Sequence, residues 1–368
     1  MKKFLLNIPF GDWVGALGLP PSEAYRARQV VEWVFSRRVR TFAEMTDLPA
    51  ARREDWEGRF TLRTLILDRS ETSALDGTVR LSFRASDGAS VSCVLLPGSS
   101  RKSDDGSPDR LAVCLSTQVG CAWGCVFCAS GRTPFQRNLG PGEILEQVLE
   151  AEAAGGRRVA NVLFMGMGEP LANLDNVLIS LRTLRSPLAF HLGSRHVTVS
   201  TSGLVPAMLK LSTEAPKVNL AVSLHAADDE TRRRLLPKAA HWPIKEVLKA
   251  AWTFQKGMGG DGRVTFEYIL IKGINDSARE AQRLSNLIRS KNAWINLIVL
   301  NPVPGLPYEA PSDDVVNEFA KILKDRGIFV HVRKPQGRDI GAGCGQLISG
   351  SAAPGALSDA HGLTTFVS

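Results

Sequence analysis

The stretch LAVCLSTQVGCAWGCVFCASGRTPFQRNL, residues 111–139, decides how the chain is read. It opens with a short apolar run, 111–115, of the kind that forms a buried strand, and then carries Cys121, Cys125 and Cys128 within eight residues. Thiols that close together on a loop point to a metal or redox centre, not to a disulfide scaffold, because six cysteines in 368 residues are too few to staple a fold. A structural zinc site asks for four donors, often as two separated Cys-x-x-Cys pairs. Only one such pair is present, so zinc stays open only with Cys114 as a fourth donor. An iron–sulfur cluster also takes four thiolates as a rule. Three would leave one iron free for a small molecule, an arrangement suited to cofactor-driven radical chemistry.

Downstream of the triplet, strand-like runs alternate with helical segments. VANVLFMG, HVTVSTSG, VNLAVSLHA, VTFEYILIKG, INLIVLNP and IFVHVRK are separated by stretches such as PGEILEQVLEAEAA and SAREAQRLSNLIR. This alternation predicts a parallel sheet with helices outside it, either a partial barrel or an open doubly wound sheet. Four of the runs end in polar clusters: GMGEP (166–170), STSG (200–203), SLH (223–225) and NP (301–302). Chemistry in parallel α/β folds gathers at those strand ends.

The flanks read differently. Residues 1–60 are helical in character, with Ala27, Val30, Val31, Val34 and Phe35 spaced as a buried stripe. Arg26, Arg28, Arg37, Arg38 and Arg40 fall between them, either as a solvated face or as a phosphate-contacting one. Residues 61–110 hold the strand-like runs TLRTLILD, GTVRLSF and SVSCVLLP, then a polar loop, 98–110, expected to be exposed. Residues 111–347 form the core, and 348–368 a polar tail expected to be poorly ordered.

Forty-five Lys and Arg against 37 Asp and Glu give a net charge of +8, compatible with a polyanionic partner. Asn7, Pro9, Gly11 and Asp12 interrupt the apolar start, so no signal peptide is expected and the reading is cytoplasmic. No apolar run is long enough for a membrane span.

With these motifs in hand, the triplet after the first core strand resembles the radical SAM superfamily, and the remaining motifs resemble its RlmN/Cfr family of RNA methyltransferases. The resemblance rests on 111–139, FMGMGEPLANLDNV (164–177), VTVSTSGLVP (197–206), LAVSLHA (220–226), FEYILIKGINDS (266–277), NLIVLNPVPG (296–305) and RDIGAGCGQL (338–347). AYRARQVVEWVF and FAEMTDLP are similar to that family's accessory RNA-binding domain. The resemblance implies a partial (βα)6 TIM-type barrel with an N-terminal helical accessory domain and a small β extension. It implies a [4Fe–4S] cluster on Cys121, Cys125 and Cys128, and S-adenosylmethionine (SAM), two per turnover. Gly168 and Glu169 would hold the SAM amino group; Ser200, Ser223, Leu224, His225 and Asn301 would hold its ribose, carboxylate and adenine. Cys344 would carry a methyl group as S-methylcysteine, and Cys114 would resolve the protein–RNA adduct through a transient disulfide with Cys344.

Taken alone, Cys114 also reads as a core thiol and His225 as a structural histidine. The implied reaction is methylation of adenosine C2 in 23S rRNA, with tRNA as a second substrate. C8 methylation, as in the family's other branch, and a non-catalytic zinc-stabilised RNA-binding protein are the alternatives. A flavodoxin- or ferredoxin-type electron donor, a monomer and no membrane complete the expectation. One departure stands out: the family's usual acid before the linker is Ser92 here, in VSCVLLP, and a serine without an activating partner is a poor base.

Overall fold

A computed structural model describes residues 2–98, 111–215, 217–259, 264–288 and 293–348. The polar segment 99–110 and the tail from 349, for which an exposed loop and a poorly ordered end are expected, lie outside the described residues.

Ten strands form one mixed sheet. They are β1 (Ile66–Thr72), β2 (Val79–Arg84), β3 (Ser90–Pro97), β4 (Leu111–Cys114), β5 (Val159–Phe164), β6 (Val197–Thr201), β7 (Asn219–Ser223), β8 (Val264–Leu270), β9 (Ala293–Val299) and β10 (Phe329–Arg333). Their spatial order is their chain order throughout. From β4 to β10 every pairing is parallel, while β1 to β4 pair antiparallel. An unreversed order of parallel strands puts every crossover helix on the same side. That is the winding of a (βα) barrel and not of a doubly wound sheet. β4 pairs with β3 on one side and β5 on the other, and β10 pairs only with β9, so the barrel stays partial.

Six crossovers carry helices. After two N-terminal helices, α1 (Tyr25–Phe35) and α2 (Ala50–Arg59), come α3 (Pro141–Gly155), α4 (Leu174–Arg185), α5 (Val205–Glu214), α6 (Asp229–Leu235), α7 (Ile244–Gly257), α8 (Ala278–Ile288) and α9 (Asp313–Asp325). Most bury an apolar stripe at 3/4 spacing, such as Val316, Phe319, Ala320 and Leu323 of α9. Among the described residues no helix is long and apolar enough to cross a membrane.

Helix α3 departs from that pattern. Its first twelve residues are all buried, Glu143, Glu146, Glu150 and Glu152 included. The N-terminal segment covers it and supplies the counter-charges: Arg38 reaches Glu152 at 2.7 Å and Arg40 reaches Glu150 at 2.6 Å. Arg37 pairs with Glu32 and lies over the Trp33 ring, and Arg26 pairs with Glu23. The phosphate-contacting face considered for these arginines is therefore largely committed to internal ion pairs. Arg28 alone of the five has no ion-pair partner among the described residues. The stripe residues of α1 share one hydrophobic core with the barrel strands, and Phe35 meets Phe190 at 5.2 Å.

The first β run sits at 66–72, not 61–68. As the sheet's free edge it is exposed along nearly all its length, so no burial requirement imprints an alternation on its sequence.

Candidate active site

The C-terminal ends of the parallel strands open into a cavity of about 230 Å³. All four polar strand-end clusters contribute to its lining, and so does the cysteine loop. Cys121, Cys125 and Cys128 line it from that loop, Cys114 from the end of β4, and Cys344 from the segment after β10. Five thiols dispersed over 230 residues of chain thus face one space. Cys93 is the sixth, buried behind β3 against α3, with its Sγ 3.9 Å from the Gln147 carbonyl.

Burial raises the pKa of every cavity thiol. Cys114 is pushed up to about 12 and Cys121 to about 11, chiefly by desolvation. For Cys125 the charges of Cys128 and Cys121 add to desolvation, which places the three within electrostatic reach of one another. Cys344 is exposed, but to the cavity, and desolvation still raises its pKa while Arg333 opposes the rise. All six cysteines are free thiols. The Cys114–Cys344 disulfide, which the resemblance implies only as a transient step, is not formed here.

Glu169 is fixed from four directions. Its carboxylate accepts from Trp123 Nε1 (3.0 Å), Ser202 N (2.8 Å), Ser202 Oγ (2.7 Å) and Leu171 N (3.0 Å). Its own N–H donates to Gln118 Oε1 at 2.9 Å. Gly168, at φ +100°, lets Gln118 approach: a Cβ there would stand 2.6 Å from Gln118 Cβ. Asn301 donates through Nδ2 to the Cys344 carbonyl at 3.0 Å, and its buried Oδ1 has no partner.

Ser200, Ser223 and His225 also line the cavity. His225 holds the left-handed φ of +59°. Its Nδ1 accepts from Ile269 N–H at 3.0 Å, so the ring carries its proton on Nε2. Burial, with the nearby Arg232 charge, depresses its pKa to about 3 and keeps it neutral. Leu224 is placed otherwise: its side chain is in the hydrophobic core, its N–H donates to the Glu267 carbonyl at 3.0 Å, and it is outside the cavity lining.

Sequence reasoning missed several groups. Trp123 and Ser202 hold Glu169, although both lie inside motifs already singled out. Glu267 and Arg333 face the cavity as an ion pair, Nη1 to Oε2 3.6 Å. The signal was a lone acid centred in the apolar run VTFEYIL. Ser92 is buried, does not line the cavity, and shares a 3.1 Å hydrogen bond with Ser82 Oγ.

Comparison with known proteins agrees with this arrangement. Residues 115–284 match the radical SAM superfamily, and residues 13–60 match the ribosomal RNA large subunit methyltransferase N-terminal domain. The chain is 42% identical over 339 residues to a probable dual-specificity RNA methyltransferase RlmN of Symbiobacterium thermophilum, covering 91% of this chain and 88% of that one. It is 42% identical over 346 residues to the dual-specificity RNA methyltransferase RlmN of Desulfosudis oleivorans, covering 93% and 89%. A radical SAM methyltransferase from Sphaerobacter thermophilus superposes with a TM-score of 0.85 at 39% identity, covering 94% of this chain and 98% of that one.

Radical SAM proteins bind a [4Fe–4S] cluster and SAM, and the donors here fit both. Cys121, Cys125 and Cys128 bring three thiols from one loop to the cavity, the donor type an iron–sulfur cluster takes. The orphaned Asn301 Oδ1 offers an acceptor to a ligand's hydroxyl or amine. On sequence, fold and donor set together, the chain belongs to the RlmN family of radical SAM methyltransferases.

Proposed function

We propose that this protein methylates C2 of adenosine in 23S rRNA and in tRNA, with Cys344 carrying the transferred carbon and Cys114 releasing the product. The observation that carries the reading is that Cys344 and Cys114, distant in sequence and outside the triplet, line the same cavity as the three loop thiols. A methyltransferase acting by direct displacement needs neither of these two cysteines. An adenine C–H carbon is not nucleophilic, so the methyl group must be handed over by another route.

Cys121, Cys125 and Cys128 would hold the [4Fe–4S] cluster. Gly168 and Glu169 would hold the SAM amino group, with Ser200, Ser223, the Leu224 backbone, His225 and Asn301 around the rest of the molecule. Cluster and SAM together supply one-electron cleavage of a carbon–sulfur bond and so a means of hydrogen-atom abstraction.

The chain's own residues do the positioning. Glu169 keeps its place because three donors hold its Oε2 and one its Oε1, which leaves Oε1 room to accept from the SAM amino group. Asn301 pins the Cys344 carbonyl, while Gly341 and Gly345 flank that thiol at φ +63° and +83°. The pin is broken by losing one hydrogen bond, and the glycines let the segment turn between methyl acceptance and delivery. Arg333 sets a positive charge near both Cys114 and Cys344, easing the thiolate form that burial disfavours. The N-terminal residues 1–60 would serve RNA binding. We take the protein to act as a monomer in the cytoplasm with a flavodoxin- or ferredoxin-type reductant.

The test is methylation of protein-free 23S rRNA fragments and tRNA by anaerobically reconstituted protein, with nucleosides identified by mass spectrometry. 2-Methyladenosine supports the proposal. 8-Methyladenosine would assign the other regiochemistry, and SAM cleavage without RNA methylation would refute the substrate assignment.

A further inference from the structure

We propose that the exposed basic surface of α6 and the turn after it is the docking site for an acidic one-electron carrier protein. The inference rests on the reading of Cys121, Cys125 and Cys128 as cluster ligands, because it concerns how electrons reach them.

Three observations converge on this surface. First, α6 is bonded to the cysteine loop: Val126 N donates to the Leu235 carbonyl at 3.1 Å, and Val126 follows Cys125 directly. From the end of α6 to a proposed cluster ligand, the path is one hydrogen bond and one residue of backbone. Second, Arg233 and Arg234, immediately before Leu235, are exposed, as is Lys238 just after the helix. None of the three has an ion-pair partner among the described residues. Asp228, the N-cap of this helix, is engaged with Thr231 and Arg283, and Asp229 accepts from Ile244 N at 2.7 Å; Glu230 is exposed on the first turn, so the basic surface is the last turn and the turn after it. Third, the platform is rigid. Arg232 is fully buried and donates to the Ser202 carbonyl, to the Ala239 carbonyl at 3.5 Å and to the Trp242 carbonyl at 3.3 Å. It therefore ties the turn after α6 to the loop that holds Glu169.

These features suit an electron donor better than RNA. The segment contributes Leu236 to the cavity wall but none of Arg233, Arg234 and Lys238, so the basic side chains stand outside the space a substrate base must enter. A carrier needs only a short path to the cluster and a complementary charge that steers it into contact.

The experiment compares the cluster-loaded full chain with its Arg233→Glu/Arg234→Glu variant, both substitutions lying on exposed positions. Cluster reduction is followed by its visible absorbance, with flavodoxin hydroquinone as one donor and dithionite as the other. The expected result is flavodoxin reduction slowed by about tenfold or more at low ionic strength, a gap that closes as salt rises. Dithionite reduction and RNA affinity should stay unchanged. Flavodoxin affinity for the cluster-free chain should fall in parallel, a readout independent of turnover. Unchanged flavodoxin rates would overturn the proposal. So would an equal loss with dithionite, which would mark a structural effect, or a loss of RNA affinity with donor reduction intact, which would make this an RNA surface. Absence of iron and sulfide from the wild-type protein would instead refute the cluster reading beneath it.

Discussion

Arg333 reaches across β9 to place its Nη1 3.6 Å from Glu267 Oε2, linking the last strand of the barrel to the middle of β8 inside the cavity. Glu267 is 4% exposed, its other oxygen accepts from Asn296 Nδ2 at 2.8 Å, and Oε2 has no hydrogen bond. Burial raises its pKa, and Arg333 and Asn296 pull it back. Removing one partner of such a pair leaves a desolvated charge, but Arg333 keeps a quarter of its side chain exposed, which softens the cost. Glu267→Gln is expected to lower stability by about 1–3 kcal/mol in urea unfolding. A double-mutant cycle with Arg333→Gln should give a coupling of about 1 kcal/mol or more. Zero coupling would mean the two side chains do not act as a pair.

Ser92 stands where the family's acid is usual, yet its hydroxyl is spent on Ser82 and its carbonyl accepts from Ser116 Oγ at 2.5 Å. It holds the β2–β3 pairing and touches no cavity surface. Ser92→Ala should therefore cost about 1 kcal/mol of stability, one neutral hydrogen bond, and change RNA methylation by less than about threefold. A loss of turnover beyond about tenfold with normal folding would show that the serine takes part in the chemistry.

The parts of the site written locally were legible in the sequence. The cysteine spacing, the strand-end GEP, STSG and SLH clusters and the Gly-rich segment around Cys344 each sit on one short stretch, and the cavity gathers all of them. What stayed hidden depended on pairings between distant segments. Arg38 and Arg40 looked available for phosphate because Glu150 and Glu152, more than a hundred residues on, sit on a helix whose acids would ordinarily face water. Leu224 belongs to the SLH run, but strand alternation turns its side chain into the core. The choice between partial barrel and doubly wound sheet depended on strand order, which periodicity does not encode.

Glu146 on α3 carries a pH dependence of its own. It is fully buried and accepts from Thr64 N, Thr64 Oγ1 and Leu65 N, but desolvation outweighs these bonds and the Arg63 charge, raising its pKa from 4.5 to about 7. A carboxyl with a raised folded-state pKa binds its proton more tightly folded than unfolded. Its contribution to stability is therefore largest below pH 4.5 and declines as pH rises towards 7. The span corresponds to at most about 3 kcal/mol. Glu146→Gln, neutral at every pH, should flatten the stability profile across that window in denaturant titrations. A variant profile parallel to wild type would place the proton elsewhere.

Gly168 offers the sharpest test of how backbone shape builds the cofactor site. At φ +100° any L side chain is strained, by about 1–3 kcal/mol. A methyl group there would also stand 2.6 Å from Gln118 Cβ and 2.9 Å from Gln118 Oε1. Gln118 cannot retreat freely, since its Oε1 takes the Glu169 N–H and its Nε2 donates to Asn138 at 2.8 Å. Gly168→Ala should therefore displace Glu169, the proposed holder of the SAM amino group, and weaken SAM binding by about tenfold or more in calorimetry. Trimming the obstacle with Gln118→Ala in the same chain removes Cγ and Oε1 but leaves the Cβ at 2.6 Å and the backbone strain, so recovery should be partial at most. Full recovery would trace the defect to crowding alone, and no loss in the single variant would mean that this close approach does not position Glu169.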